Sequence, residues 1–147
     1  GGISPLEEKA LGCVQKCGKG IIKDVLCYGE RIKKQGLNIV EGPGNDLVAV
    51  TALVAAGAHI ILFSTGRGTP VGSIVPTIKI STNSNLFERK RHWVDFNSGV
   101  LIESESMENV AEKLLDLIQK VASGEIHTKN EDNGMRSFSI FKTGVTL

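Results

Sequence analysis

The segment Phe63-Ser64-Thr65-Gly66-Arg67-Gly68-Thr69-Pro70 has the makings of an anion-binding loop. Gly66 and Gly68 permit close backbone approach, so amide groups can point at a negative charge. Arg67 between them can hold a carboxylate through two parallel hydrogen bonds, and Thr69 completes the substrate-facing set. The same residues also suit a tight turn with a solvated arginine. The segment is neither a P-loop nor a dinucleotide fingerprint, because the G-x-G-x-x-G spacing is not met.

Lys79 sits between Ile78 and Ile80, in an apolar stretch that should be largely buried, and buried lysines are rare unless paired. Thr82 and Asn83 follow at the end of that stretch. They suit substrate contact, although an edge-strand lysine with Asn83 as a helix cap reads equally well. Asp95 and Asn97 alternate with Val94, Phe96 and Ser98. A period of two puts both polar groups on one face, where they can bind hydroxyls. The alternative is an Asx-turn over Asn97-Ser98-Gly99. Asn45 and Asp46 precede an apolar helix, whose N-terminus is an anion site by geometry, and one of the two is better read as its cap.

Metal-ligand spacing is poor. His59, His92 and His127 are scattered. Cys13 and Cys17 lie four apart, but they fall on an apolar helical stripe and read as core thiols. No catalytic residue is assigned.

These residues need elements to position them. Ser4-Pro5-Leu6-Glu7 reads as a helix start with a capping box. Leu6, Ala10, Cys13, Val14 and Cys17 then mark one face, and Gly18 and Gly20 end it. Short strands are expected over Asp24–Tyr28 and Leu37–Val40. Leu47–Ala56 is apolar nearly all round, as a helix buried against a sheet would be. His59–Ser64 reads as a strand covered on both faces, and Thr77–Ser81 as another. A short helix is expected over Asn85–Arg91, with strand pieces over Trp93–Phe96 and Val100–Glu103. Glu108–Ala122 carries the clearest helical stripe. Glu125–Gly134 reads as a loop, and Ser137–Phe141 as a last strand.

Helices alternating with apolar strands predict a layered α/β domain. Its sheet is largely parallel, flanked by helices and Rossmann-like. Only about a dozen residues separate the strand at Ile61 from that at Ile78, near the minimum for a parallel crossover, so a mixed sheet is the alternative. The 147 residues suit one domain. With 17 basic and 16 acidic residues the net charge is +1, which makes no electrostatic case for nucleic acid. No apolar run approaches membrane-spanning length. The three cysteines show no framework spacing, which points to reduced thiols and a cytoplasmic location. The chain opens on Gly1 without an initiator Met, so it is expected to start inside a longer polypeptide or after a removed tag.

Taken in order, Gly1-Gly2-Ile3-Ser4-Pro5-Leu6-Glu7-Glu8-Lys9, Gly44-Asn45-Asp46, Thr65-Gly66-Arg67-Gly68-Thr69-Pro70, Lys79-Ile80-Ser81-Thr82-Asn83 and Asp95-Phe96-Asn97-Ser98-Gly99 resemble the C-terminal region of the altronate (altronate hydrolase)/galactarate dehydratase family. This family takes in the large subunit of sulfolactate sulfo-lyase. The resemblance covers almost the whole chain, and Thr-Gly-Arg-Gly-Thr-Pro is its most specific piece. It implies the last part of a hydro-lyase that dehydrates a sugar acid to a 2-keto-3-deoxy acid. It also implies a divalent metal, ferrous iron in the full-length enzyme, with no ligand that maps onto this chain. The implied partners are the sugar acid and the rest of the same polypeptide, with homo-oligomerisation left open. Nucleic acid and membrane are not expected. Such chemistry needs cations or amides on the carboxylate where enolate charge develops, and an acid and a base for the leaving oxygen. Arg67, Lys79 and the Gly66 and Gly68 amides suit the first task. Asn45, Thr82, Asp95 and Asn97 suit hydroxyl recognition. A sulfo-lyase, or a non-catalytic ligand-binding or oligomerisation module, is the competing reading.

Overall fold

A computed structural model describes residues 11–12 and 15–140. Much of the expected first helix, with Ser4 as its cap and Cys13 on its stripe, lies outside them, while residues 11–12 and 15–16 are helical. Among the described residues five short strands are present, and every pairing is parallel. They form two small sheets rather than one. Strand β1 (Ile22–Leu26) pairs with β2 (Leu37–Val40). Strands β3 (Ile61–Thr65), β4 (Thr77–Ser81) and β5 (Phe96–Asn97) make the second sheet in that order. The mixed-sheet alternative is therefore not adopted. An irregular crossover loop over residues 66–76 is just long enough to return the chain parallel.

Helix α1 (Asp46–Ala56) starts where Asn45 Oδ1 accepts the amides of Leu47 and Val48, both at 3.2 Å. Its apolar residues pack on β3 and the crossover loop, where Val50, Ile61 and Val71 form a buried cluster edged by Leu47, Val54, Phe63 and Val75. β3 departs from expectation. It is an edge strand, and Leu62 keeps 49% of its surface exposed. The strand covered on both faces is β4, where Thr77, Ile78, Lys79 and Ser81 are all buried.

Helix α2 (Ser84–Arg89) is capped by Asn83, whose Oδ1 accepts Leu86 N at 2.8 Å. Trp93 and Val94, expected in a strand, instead belong to a turn that closes on the Lys90 carbonyl. β5 retains only Phe96 and Asn97. Val100–Glu103, also expected as a strand, is the one-turn helix α3. Asn97 Oδ1 accepts Gly99 N at 2.9 Å, and this Asx-turn redirects the chain before a second ladder can form. Three apolar residues and a glutamate carry too little periodicity to separate strand from helix.

The long helix α4 (Met107–Ala122) is capped by Ser106 and begins one residue before the expected start, and its stripe turns Val110 and Val121 inward. Within the expected loop, Lys129–Asp132 forms the short helix α5. Thr128 and Glu131 make a reciprocal capping box around its first turn. Residues 137–140 form no strand. Two separate bonds hold them, Ser137 N to Gly72 O and Ser139 N to Thr51 Oγ1.

Candidate functional site

The three strands of the second sheet end in one row, because Thr65 aligns with Ser81 and Ser81 with Asn97. The chain leaves that row as three loop starts, at Gly66, Thr82 and Ser98. This is the carboxyl edge, where ligands bind in open α/β sheets. A cleft of about 340 Å³ opens there along α2, lined by Gly66, Arg67, Asn83, Asn85, Leu86, Arg89 and Lys90. Three of these seven side chains are cations. Arg67 and Arg89 are exposed and make no ion pair among the described residues.

Local chemistry shapes the loop. Thr65 Oγ1 accepts the amides of Gly68, at 3.0 Å, and Thr69, at 3.3 Å. The Gly68 amide is thus spent on the protein and does not face an anion, contrary to the amide-cradle expectation. Gly68 is needed for another reason. Its φ is +81°, and a Cβ there would stand 2.9 Å from both Leu86 Cδ1 and Lys90 Cδ. Its carbonyl accepts Lys90 Nζ at 3.2 Å. Asn83 Nδ2 donates to Gly66 O at 3.2 Å, so the same residue caps α2 and clips the loop. Thr82 bonds Thr65 O through its amide and lies against Gly66.

The other expected residues divide. Asn45 caps α1 and does not line the cleft. Asn97 is consumed by its Asx-turn, by Ser81 Oγ at 3.3 Å and by Ser84 Oγ at 3.0 Å. Asp95 spends Oδ2 on Lys79 N and Oδ1 on Lys129 N, each at 2.7 Å. Burial pushes its carboxyl up, and those two amides pull it back. Asp95 and Asn97 thus hold elements together, and neither lines the cleft.

Lys79 points from the middle of β4 into the protein and is fully buried. Its Nζ has no hydrogen-bond partner among the described residues and stands 4.7 Å from the centre of the Trp93 ring. Desolvation lowers its pKa to about 8, against the raising effect of Asp95 and together with the like charge of Lys90. Lys79 does not line the cleft.

Sequence reasoning missed Arg89, Lys90 and Trp93. The signal was there in the Arg89-Lys90-Arg91 run. Counted from the Asn83 cap, it ends a helix of under two turns beside the glycine loop.

Among the described residues no three His, Cys, Asp or Glu side chains converge, and the Asp95 oxygens already have partners. The described residues therefore do not fit a divalent-metal site.

Residues 1–146 match the model of the family described as D-galactarate/Altronate dehydratase, C-terminal. The chain belongs to this family. It is 54% identical over 147 residues to an altronate dehydratase of Escherichia coli (strain K12), and covers 30% of that protein. It is 40% identical over 139 residues to a galactarate dehydratase (L-threo-forming) of the same strain, matching 93% of this chain and 27% of the relative. A (2R)-sulfolactate sulfo-lyase subunit beta of Chromohalobacter salexigens is 33% identical over 141 residues, which are 94% of this chain and 36% of the relative. The chain thus spans about a third of the length of the curated relatives it matches. Among the described residues, no helix is long and apolar enough to cross a membrane.

Proposed function

We propose that the chain is the C-terminal part of a longer hydro-lyase that dehydrates altronate or galactarate to a 2-keto-3-deoxy acid, and that its cleft grips the substrate carboxylate. The observation that carries this reading is the unpaired Arg67 guanidinium, set beside Arg89 and Lys90 at the sheet's carboxyl edge. Removing the proton next to a carboxylate sends charge onto the carboxylate oxygens. Fixed cations there stabilise the enolate more than the ground state. Arg67 presents a planar fork for two oxygens. Arg89 and Lys90 add charge along the same wall, and Asn85 lies within reach of a hydroxyl. Acid, base and the divalent metal, ferrous iron in this reading, come from the remainder of the polypeptide. A cytoplasmic location is part of the same proposal.

The test is Arg67→Ala in the longer enzyme. A charge-assisted contact contributes about 1.5–3 kcal/mol, so kcat/KM should fall at least about tenfold. The melting temperature should barely move, because Arg67 is exposed and unpaired. Arg67→Lys should recover only part, since an ammonium lacks the fork. Full activity in Arg67→Ala would remove the cleft from the reaction. Coupled assays for keto-deoxy acid and for sulfite separate the dehydratase from the sulfo-lyase reading, and the 54% and 40% identities to dehydratases favour the former.

A further inference from the structure

Lys79 is the one fully buried cation among the described residues, and nothing local explains its charge. Asp95, the carboxylate whose charge acts on it, has committed both oxygens to the backbone amides of Lys79 and Lys129. No hydrogen bond reaches the ammonium within the described residues. A methionine or leucine would fill such a position without the desolvation cost of a charge.

What the ammonium does touch is the face of Trp93, at 4.7 Å from the ring centre. A second cation, Lys90 Nζ, stands 5.6 Å from the same ring. A cation over an indole face is held by the ring's quadrupole. The two contacts are part of a continuous chain. The Trp93 amide donates to the Lys90 carbonyl at 2.9 Å, so ring and lysine belong to one turn. Lys90 N bonds back to Leu86 O and fixes that turn on the end of α2. Lys90 Nζ donates to Gly68 O and ties the turn to the glycine loop. Trp93 Nε1 is itself buried and without a partner among the described residues, so cation contacts with the ring face, and not an indole hydrogen bond, orient the side chain.

We propose that Lys79 is a positioning residue for the cleft, acting through Trp93 and Lys90 on the loop that carries Arg67. This rests on the reading of the cleft as the carboxylate site. Lys79 touches no substrate. It fixes the Trp93 ring, the ring steadies Lys90, and Lys90 holds the Gly68 carbonyl that sets the loop.

The experiment compares Lys79→Met, Trp93→Leu and the double variant in the longer enzyme, with Lys79→Arg as the rescue. Each single change should raise KM for the sugar acid about tenfold and also lower kcat several-fold, because the Arg67 contact strengthens as enolate charge develops. The double variant should be no worse than the worse single, because both cut one chain of contacts. Lys79→Arg should return KM to within about threefold of wild type. An unchanged KM in Lys79→Met overturns the proposal, and so do effects that simply multiply in the double variant. If Lys79→Met does not fold, Trp93→Leu and Lys79→Arg decide. A wild-type KM in Trp93→Leu overturns the proposal, whereas a raised KM there with a near-wild-type KM in Lys79→Arg upholds it. Arg67→Ala separates the two readings. If it leaves KM and kcat unchanged, the cleft itself is not the carboxylate site. If it impairs the enzyme while Lys79→Met does not, only the relay fails.

Discussion

A charge buried without a hydrogen bond makes stability depend on pH in a definite direction. Lys79 titrates at about 8 in the folded chain, chiefly through desolvation, against an ordinary value of 10.5. Below about pH 8 the ammonium is charged in both folded and unfolded states, and its burial cost is fully present. Between about 8 and 10.5 the folded chain releases the proton while the unfolded chain keeps it. The unfolded state then binds more protons, so the stability contributed by this site rises with pH across that window. The measurement is the urea unfolding free energy of wild type and Lys79→Met at steps from pH 7 to 10.5. The difference should move in favour of wild type as pH rises through the window, with the other titrating groups cancelling. Parallel curves would mean that Lys79 does not titrate there.

At the scale of elements, the sheet's carboxyl edge is organised by short polar side chains that turn backbone amides inward. Thr65 takes two amides of the glycine loop, Asn83 caps α2, and Asn97 forces the turn into α3. Asp95 reaches furthest of these, joining Lys79 of β4, 16 residues back, to Lys129 of α5, 34 residues on. Replacing it with Ala would strand two amides that now share a carboxylate. Hydrogen bonds to charged groups contribute about 1.5–3 kcal/mol each, and part of that returns where water reaches the Lys129 amide. Asp95→Ala should therefore destabilise the chain by about 2–4 kcal/mol in urea unfolding. Asp95→Asn, which keeps one acceptor oxygen, should lose roughly half as much. A loss below about 0.5 kcal/mol for Asp95→Ala would show that the clasp is not needed.

At the scale of the whole molecule, several large apolar side chains face outward. Ile102 is 85% exposed, and Val25, Met107, Phe138 and Ile140 are exposed as well. A second cleft of about 310 Å³, between α1, the crossover loop and the 137–138 segment, is lined by Val54, Ala55, Ile74 and Phe138 among others. The proposal that the chain is part of a longer enzyme expects the rest of the polypeptide to cover part of this apolar surface. It agrees with the span of about a third of the relatives' length. The 147-residue chain alone should accordingly fold but give no dehydratase turnover with altronate or galactarate, even with added ferrous iron. Circular dichroism and a keto-deoxy acid assay check both halves. Turnover near that of a full-length relative would overturn the proposal that acid, base and metal lie elsewhere in the polypeptide.

Much was legible in the residues themselves. The apolar run and its Asn45 cap determine α1, and the stripe of Val110, Leu114, Leu117 and Val121 determines α4. Leu37–Val40 and Thr77–Ser81 are strands at the bounds their apolar content predicts. The Gly66-Arg67-Gly68 loop follows a strand, and that placed it at the sheet's carboxyl edge. These are local properties, set by periodicity, capping and turn chemistry within a few residues. Tertiary structure decided the rest. Whether Val100–Glu103 extends or coils depended on an Asx-turn and on Gly99 packing against the backbone of Asn83 and Ser84. Whether Asp95 meets a ligand or two amides depended on α5, more than thirty residues further on. The site itself turned on long-range packing too. Arg67 reaches solvent and Lys79 does not, because strand order makes β3 an edge and β4 the centre. Burial in the centre, and not residue type, encloses one cation and leaves the other open to solvent.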